Sequence, residues 1–120
     1  MMTRKTLPFA TFVLSCVLAL LVSTVPAHAT ATFVSCTPVE VMTFHERIHV
    51  RCSAAIGGIV FFAAPTQDTQ FVNRVLSIIE SAQIAGRTLS IQYDPADLSG
   101  INIGCQNFDC RLILAIGFGQ

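Results

Sequence analysis

Tryptophan is absent from the 120 residues, tyrosine and lysine each occur once, and only 12% of the residues are charged. Cations this sparse form none of the Lys and Arg clusters on which nucleic-acid binding depends, so no nucleic-acid partner is expected. A chain that is 52% hydrophobic with balanced charge also falls outside the composition of disordered proteins. Its length fits one small domain and excludes a large multidomain enzyme. Phosphate-binding and nucleophile motifs are missing too: there is no G-x-x-x-x-G-K-[ST], no G-x-G-x-x-G and no G-x-S-x-G. No catalytic set and no cofactor are predicted. The expectation is a non-enzymatic protein.

What is present begins with a targeting segment. Arg4 and Lys5 precede an apolar run from Leu7 to Val22, and Ser23 to Pro26 lead into Ala27-His28-Ala29, an A-x-A cleavage site. This is the layout of a secretory signal peptide. A retained membrane anchor of about 20 residues is disfavoured by Pro26 and the small residues that follow it. A lipoprotein site at Leu14-Ser15-Cys16 would leave Val17 to Val22 as an exposed apolar tail. Residues 1–29 are therefore expected to be removed, leaving residues 30–120 as a single secreted or periplasmic bacterial domain with no membrane span.

In that domain five arginines face seven carboxylates, a net charge of about −2. Four cysteines remain: Cys36, Cys52, Cys105 and Cys110. An even number in a small exported domain predicts two disulfides. Three connectivities are possible. Cys36–Cys52 with Cys105–Cys110 is preferred, because each pair flanks a local turn or hairpin. The spacings do not supply the CxxC-like pairs of a zinc site.

Hydrophobic periodicity predicts a mostly β domain with one helix. Val39 to His45 alternates, and Ile48, Val50 and Cys52 alternate with Arg47, His49 and Arg51, whose charges mark a solvent face. Gly57-Gly58 supplies a turn before an apolar strand from Ile59 to Ala63. A helix follows, with Thr66 or Asp68 as N-cap and Gly86 as left-handed C-cap. Phe71, Val72, Val75, Leu76, Ile79 and Ala82 form its apolar stripe. Ile78 and Ile84 lie outside that stripe and suggest a second buried contact. Leu89, Ile91 and Tyr93 mark the next strand, and Arg111 to Ile116 a central one. The order fits a five-stranded OB-fold-like barrel with the helix between strands 3 and 4.

His45-Glu46-Arg47-Ile48-His49 spells H-E-x-x-H, the zinc-peptidase signature. That chemistry needs both imidazoles one turn apart on a helix and a third protein ligand. Here the pattern falls within strand-like runs and no later histidine exists. It is read as a polar hairpin tip, with no metal site.

Phe44-His45, Ala85-Gly86-Arg87, Ile91-Gln92-Tyr93-Asp94-Pro95 and the Gly104-Cys105…Asp109-Cys110 segment together carry a resemblance. The chain resembles the binding (B) subunits of subtilase cytotoxin and typhoid-toxin-like bacterial toxins. The resemblance implies an OB-fold, assembly as a homopentameric ring, recognition of sialylated cell-surface glycans, and an exported A subunit as partner. By position it implies glycan contacts at Ser35, Thr37 and Tyr93. The alternative is a monomeric periplasmic or secreted accessory or inhibitor protein that binds another exported protein.

After Ala29, 45 of 91 residues are apolar and seven more are glycine, against about 45–50% for the two together in ordinary domains. So small a domain has limited interior to hide that surface. The excess predicts a subunit interface, placed on the helix from Asp68 to Ala85.

Overall fold

The computed structural model describes residues 30–120; the predicted signal peptide, residues 1–29, lies outside them. Alternation sets most of the strands. In chain order they are β1 (Thr32–Cys36), β2 (Pro38–Thr43), β3 (Arg47–Ile56) and β4 (Ile59–Pro65), then the helix α1 (Thr69–Ala85), then β5 (Leu89–Tyr93). A 3-10 helix (Ser99–Ile103), β6 (Cys110–Leu112) and β7 (Ala115–Phe118) complete the domain. Gly57 and Gly58 both take positive φ, +57° and +86°, which suits the tight β3–β4 turn.

The strands form two sheets, β1-β5-β7 and β2-β3-β4-β6. All pairings are antiparallel except β4 with β6, which is parallel. The fold is thus mostly β with one helix, as the periodicity predicts. It has seven strands in two sheets in place of one closed barrel of five. An unexpected strand, β1, precedes the expected first one with a division at Thr37, and the expected last strand is divided at Ile113-Leu114, so the helix follows the fourth strand. At each division the chain passes from one sheet to the other. The Ile113 amide donates to Ala63 O of the four-stranded sheet at 2.8 Å, and the next amide, Leu114, donates to Gln92 O of the three-stranded sheet at 2.8 Å.

The inner faces of both sheets and one face of α1 share a core. Ile48, Val50, Phe62 and Ala64 come from the four-stranded sheet, Leu89, Ile91 and Tyr93 from the three-stranded one, and Val72, Val75, Ile79 and Ala82 from the helix. Asp68 caps α1 by accepting the Phe71 amide at 2.9 Å. Gly86 ends it at φ +63°, in the left-handed conformation glycine adopts without a steric cost. Both predicted disulfides form, Cys36–Cys52 and Cys105–Cys110. Cys36–Cys52 ties β1 of one sheet to β3 of the other, next to the division at Thr37.

Two expectations about faces are corrected. Ile78 packs against the core, but Ile84 is 90% exposed and has no second buried contact among the described residues. It is also the one large apolar side chain on α1 that stands exposed, because the rest of the stripe turns inward. The outward apolar groups sit elsewhere, at Phe33, Phe108, Ile101 and Phe118 among others. The second correction concerns the outer face of β3. It is not a plain solvent face, since His49 is 93% buried there. The segment from Gly104 to Cys110 folds back over it, and Ala63, Cys105 and Cys110 form a small second core with Phe61 and Leu112.

Candidate functional site

Along β1 and β5 the core takes Val34, Cys36, Leu89, Ile91 and Tyr93, so Phe33, Ser35, Ser90 and Gln92 turn outward. Register places Ser35 opposite Ser90, and Phe33 opposite Gln92. Ser90 in turn faces Gly117 of β7, where added side-chain atoms would meet only open space. The result is a shallow groove of about 470 Å³, lined by Phe33, Ser35, Ser90, Phe118 and Gln120 among others, with no charged side chain in its wall. Phe33 is 62% exposed. One end is held by Arg87, whose guanidinium lies 4.7 Å from the centre of the Phe118 ring and donates to Gly119 O at 3.3 Å. An exposed ring beside hydroxyl and amide groups is able to stack an apolar ligand face while hydrogen-bonding its polar edge.

Of the residues implied by resemblance, Ser35 lies in this groove. Thr37 is exposed at the division between β1 and β2, and its carbonyl accepts the Ser53 amide at 2.9 Å. Tyr93 is elsewhere: it sits in the core, opposite Thr32 at the far end of β5, with its ring edge-on to Phe62 at 5.1 Å. The structure therefore brings one of the three to the groove and adds Phe33, Ser90 and Phe118. Sequence pattern did not signal Phe33, because an outward aromatic in a strand reads like an inward one.

The other polar cluster surrounds the H-E-x-x-H pattern. His45 and Glu46 lie in the β2–β3 turn and His49 lies within β3, so the helical geometry that the signature requires is not present. Among the described residues no three His, Cys, Asp or Glu side chains gather as metal ligands would. His49 instead packs between Phe44 and Phe61, at ring distances of 5.1 and 4.8 Å. Its Nε2 has no hydrogen-bond partner, and Glu40 Oε1 stands 3.9 Å away. Burial, then the neighbouring Arg47, hold its pKa below the ordinary 6.5; Glu40 and Asp109 pull the other way and have less effect.

Arg47 joins this cluster to the segment that covers it. Its guanidinium lies 4.1 Å from the centre of the Phe44 ring and donates to Ile103 O at 2.6 Å. Gly104 follows at φ +84°, and a Cβ there would collide with Arg47 Nη1. Gly104→Ala is accordingly expected to cost about 2 kcal/mol, from left-handed strain and loss of the Ile103 bond. Urea unfolding checks this; a midpoint equal to that of the parent chain contradicts it.

No family model, curated protein or solved structure matches the chain.

Proposed function

We propose that this chain is an exported, non-enzymatic binding module that recognises a cell-surface glycan through the groove over β1, β5 and β7. The observation that carries the proposal is the exposed Phe33 ring beside Ser35 and Ser90 in a groove with no charged side chain in its wall. Phe33 stacks on a sugar face, and Ser35, Ser90 and Gln92 bond its hydroxyls. Thr37 lies outside the groove's lining, and Tyr93 acts only from within the core.

The wider likeness to toxin B subunits, a ring of five that carries an A subunit, belongs to the same proposal. Supporting it is the order of strand pairing. One ladder runs from β2 through β3 and β4 to β6, the other from β7 through β5 to β1, and the chain itself joins them at Ile113-Leu114 and at Thr37. That circuit is the one an OB-fold-like barrel traces when its first and last strands are each bent across two sheets. Two disulfides suit an oxidising compartment outside the cytoplasm. Among the described residues no helix is long and apolar enough to cross a membrane.

The test is a glycan array carrying sialylated and neutral glycans, combined with light scattering. The parent chain is expected to bind as a pentamer. Phe33→Ala is expected to weaken binding about tenfold or more, equivalent to about 1.4 kcal/mol, with thermal stability little changed because the ring is mostly outside the core. A monomer that binds no glycan and instead captures one stoichiometric exported protein would favour an accessory or inhibitor role.

A further inference from the structure

Arg47, His49 and Arg51 stand at alternate positions of β3 and so share its outer face, with neighbours about 7 Å apart. Other charged groups reach this row from two sides. From β2, Glu40 lies 3.5 Å from Arg51 Nε and 3.9 Å from His49 Nε2. From the covering segment, Asp109 lines a cavity of about 190 Å³ together with Arg47, His49, Phe61 and Gln106. β4 presents Phe61 and Ala63, neither of which titrates, and the β2–β3 turn presents Phe44 to His49, while its His45 and Glu46 border Arg47 on the side of Ile103 and Gly104. Among the described residues, Arg47 is the one member of the row with no carboxylate within 4 Å. Its guanidinium instead holds down Ile103, and Gly104 leaves it no room on that side.

We propose that this row is an acid-sensitive latch: protonation of His49 drives Arg47 off Ile103 and loosens the Ile103–Cys105 stretch over the outer face of the four-stranded sheet, while Asp109 and Cys110 stay paired to β4. A neutral His49 leaves two cations on the face, one of them paired with Glu40. A protonated His49 makes three in succession. Glu40 faces both His49 and Arg51 and offsets only part of the added repulsion. Arg47 alone has no carboxylate within 4 Å to keep it in place. The cavity gives its guanidinium space to move, and Asp109 in the cavity wall supplies a counter-charge at the new position. The sign follows from burial: the cover lowers the His49 pKa from its ordinary 6.5, and loosening it relieves that effect. The closed state is therefore fully stable above 6.5 and loses stability as pH falls through that value toward the covered pKa. The inference is independent of the glycan proposal.

Hydrogen exchange by NMR tests it. The Gly104 and Cys105 amides donate back to Ile101 O and Gly100 O of the 3-10 helix. Corrected for intrinsic exchange, their protection is expected to fall at least about threefold between pH 7.5 and pH 5, with the β5 amides unchanged. His49→Gln is expected to abolish the fall. Glu40→Gln removes the anion that favours protonation and is expected to move the onset to lower pH. Constant protection in the parent chain would overturn the latch, as would the same fall in His49→Gln. Should His49→Gln not fold, an unmoved onset in Glu40→Gln overturns it equally.

Discussion

Phe62→Ala is expected to lower the stability of the domain by about 3–5 kcal/mol. The ring is fully buried on β4, opposite Val50 of β3 in the same sheet. It also meets Tyr93 of the other sheet edge-on, with centroids 5.1 Å apart and planes at 70°. Truncation therefore removes a large apolar group, leaves a cavity between the sheets and deletes an aromatic pair worth about 0.5–1.5 kcal/mol beyond its area. Small domains have total stabilities of about 5–15 kcal/mol, so much of the reserve goes at once. Each kcal/mol corresponds to about 4–8 °C in Tm at this size, which puts the expected fall at about 12 °C or more. Calorimetry reads it directly. A loss under about 1 kcal/mol would mean that Phe62 does not bridge the sheets.

Removing Cys36–Cys52 by Cys36→Ala with Cys52→Ala is expected to cost about 3 kcal/mol, through the freedom regained by the unfolded chain. The bridge spans a sequence separation of 16 and Cys105–Cys110 only 5, so the same model gives the second bridge about 2 kcal/mol. Position sharpens the contrast. Cys36 and Cys52 are both buried in the shared core and join the sheets where the backbone ladder is divided at Thr37. Cys105–Cys110 closes a segment on the outside of one sheet. Denaturant midpoints of the two double variants compare them. A larger loss from the Cys105 and Cys110 pair would contradict this ranking.

Much of the fold was legible because its signals are local. The caps of α1 at Asp68 and Gly86, the paired glycines of the β3–β4 turn and the alternation of Leu89 to Tyr93 each depend on neighbouring residues. Strand β1 was not foreseen, since its outward Phe33 blurs the polar-apolar alternation with Val34 and Cys36. The bulge between Pro38 and Glu40 leaves Val39 47% exposed, which breaks the expected face of β2. His49 was placed on a solvent face because its cover arrives from Gly104 to Cys110, more than fifty residues later. No period within β3 announces that cover. The groove is illegible for the same reason, being assembled from β1, β5 and the residues after Gly117. Ser35 alone was anticipated there, and only through resemblance.

The adjacent amides of Ile113 and Leu114 donate to opposite sheets, and this has a kinetic meaning. A chain emerging from its N-terminus has only the β2-β3-β4 meander available to it. β1 must wait for β5, and β4 and β5 must both wait for residues 110–118 before their second edges are paired. Contacts this distant in sequence place folding in the slow, millisecond-to-second range of high contact order. Until that late stretch pairs, neither sheet is complete. Once it arrives, a single dipeptide closes both halves together, which makes the final folding step all-or-none.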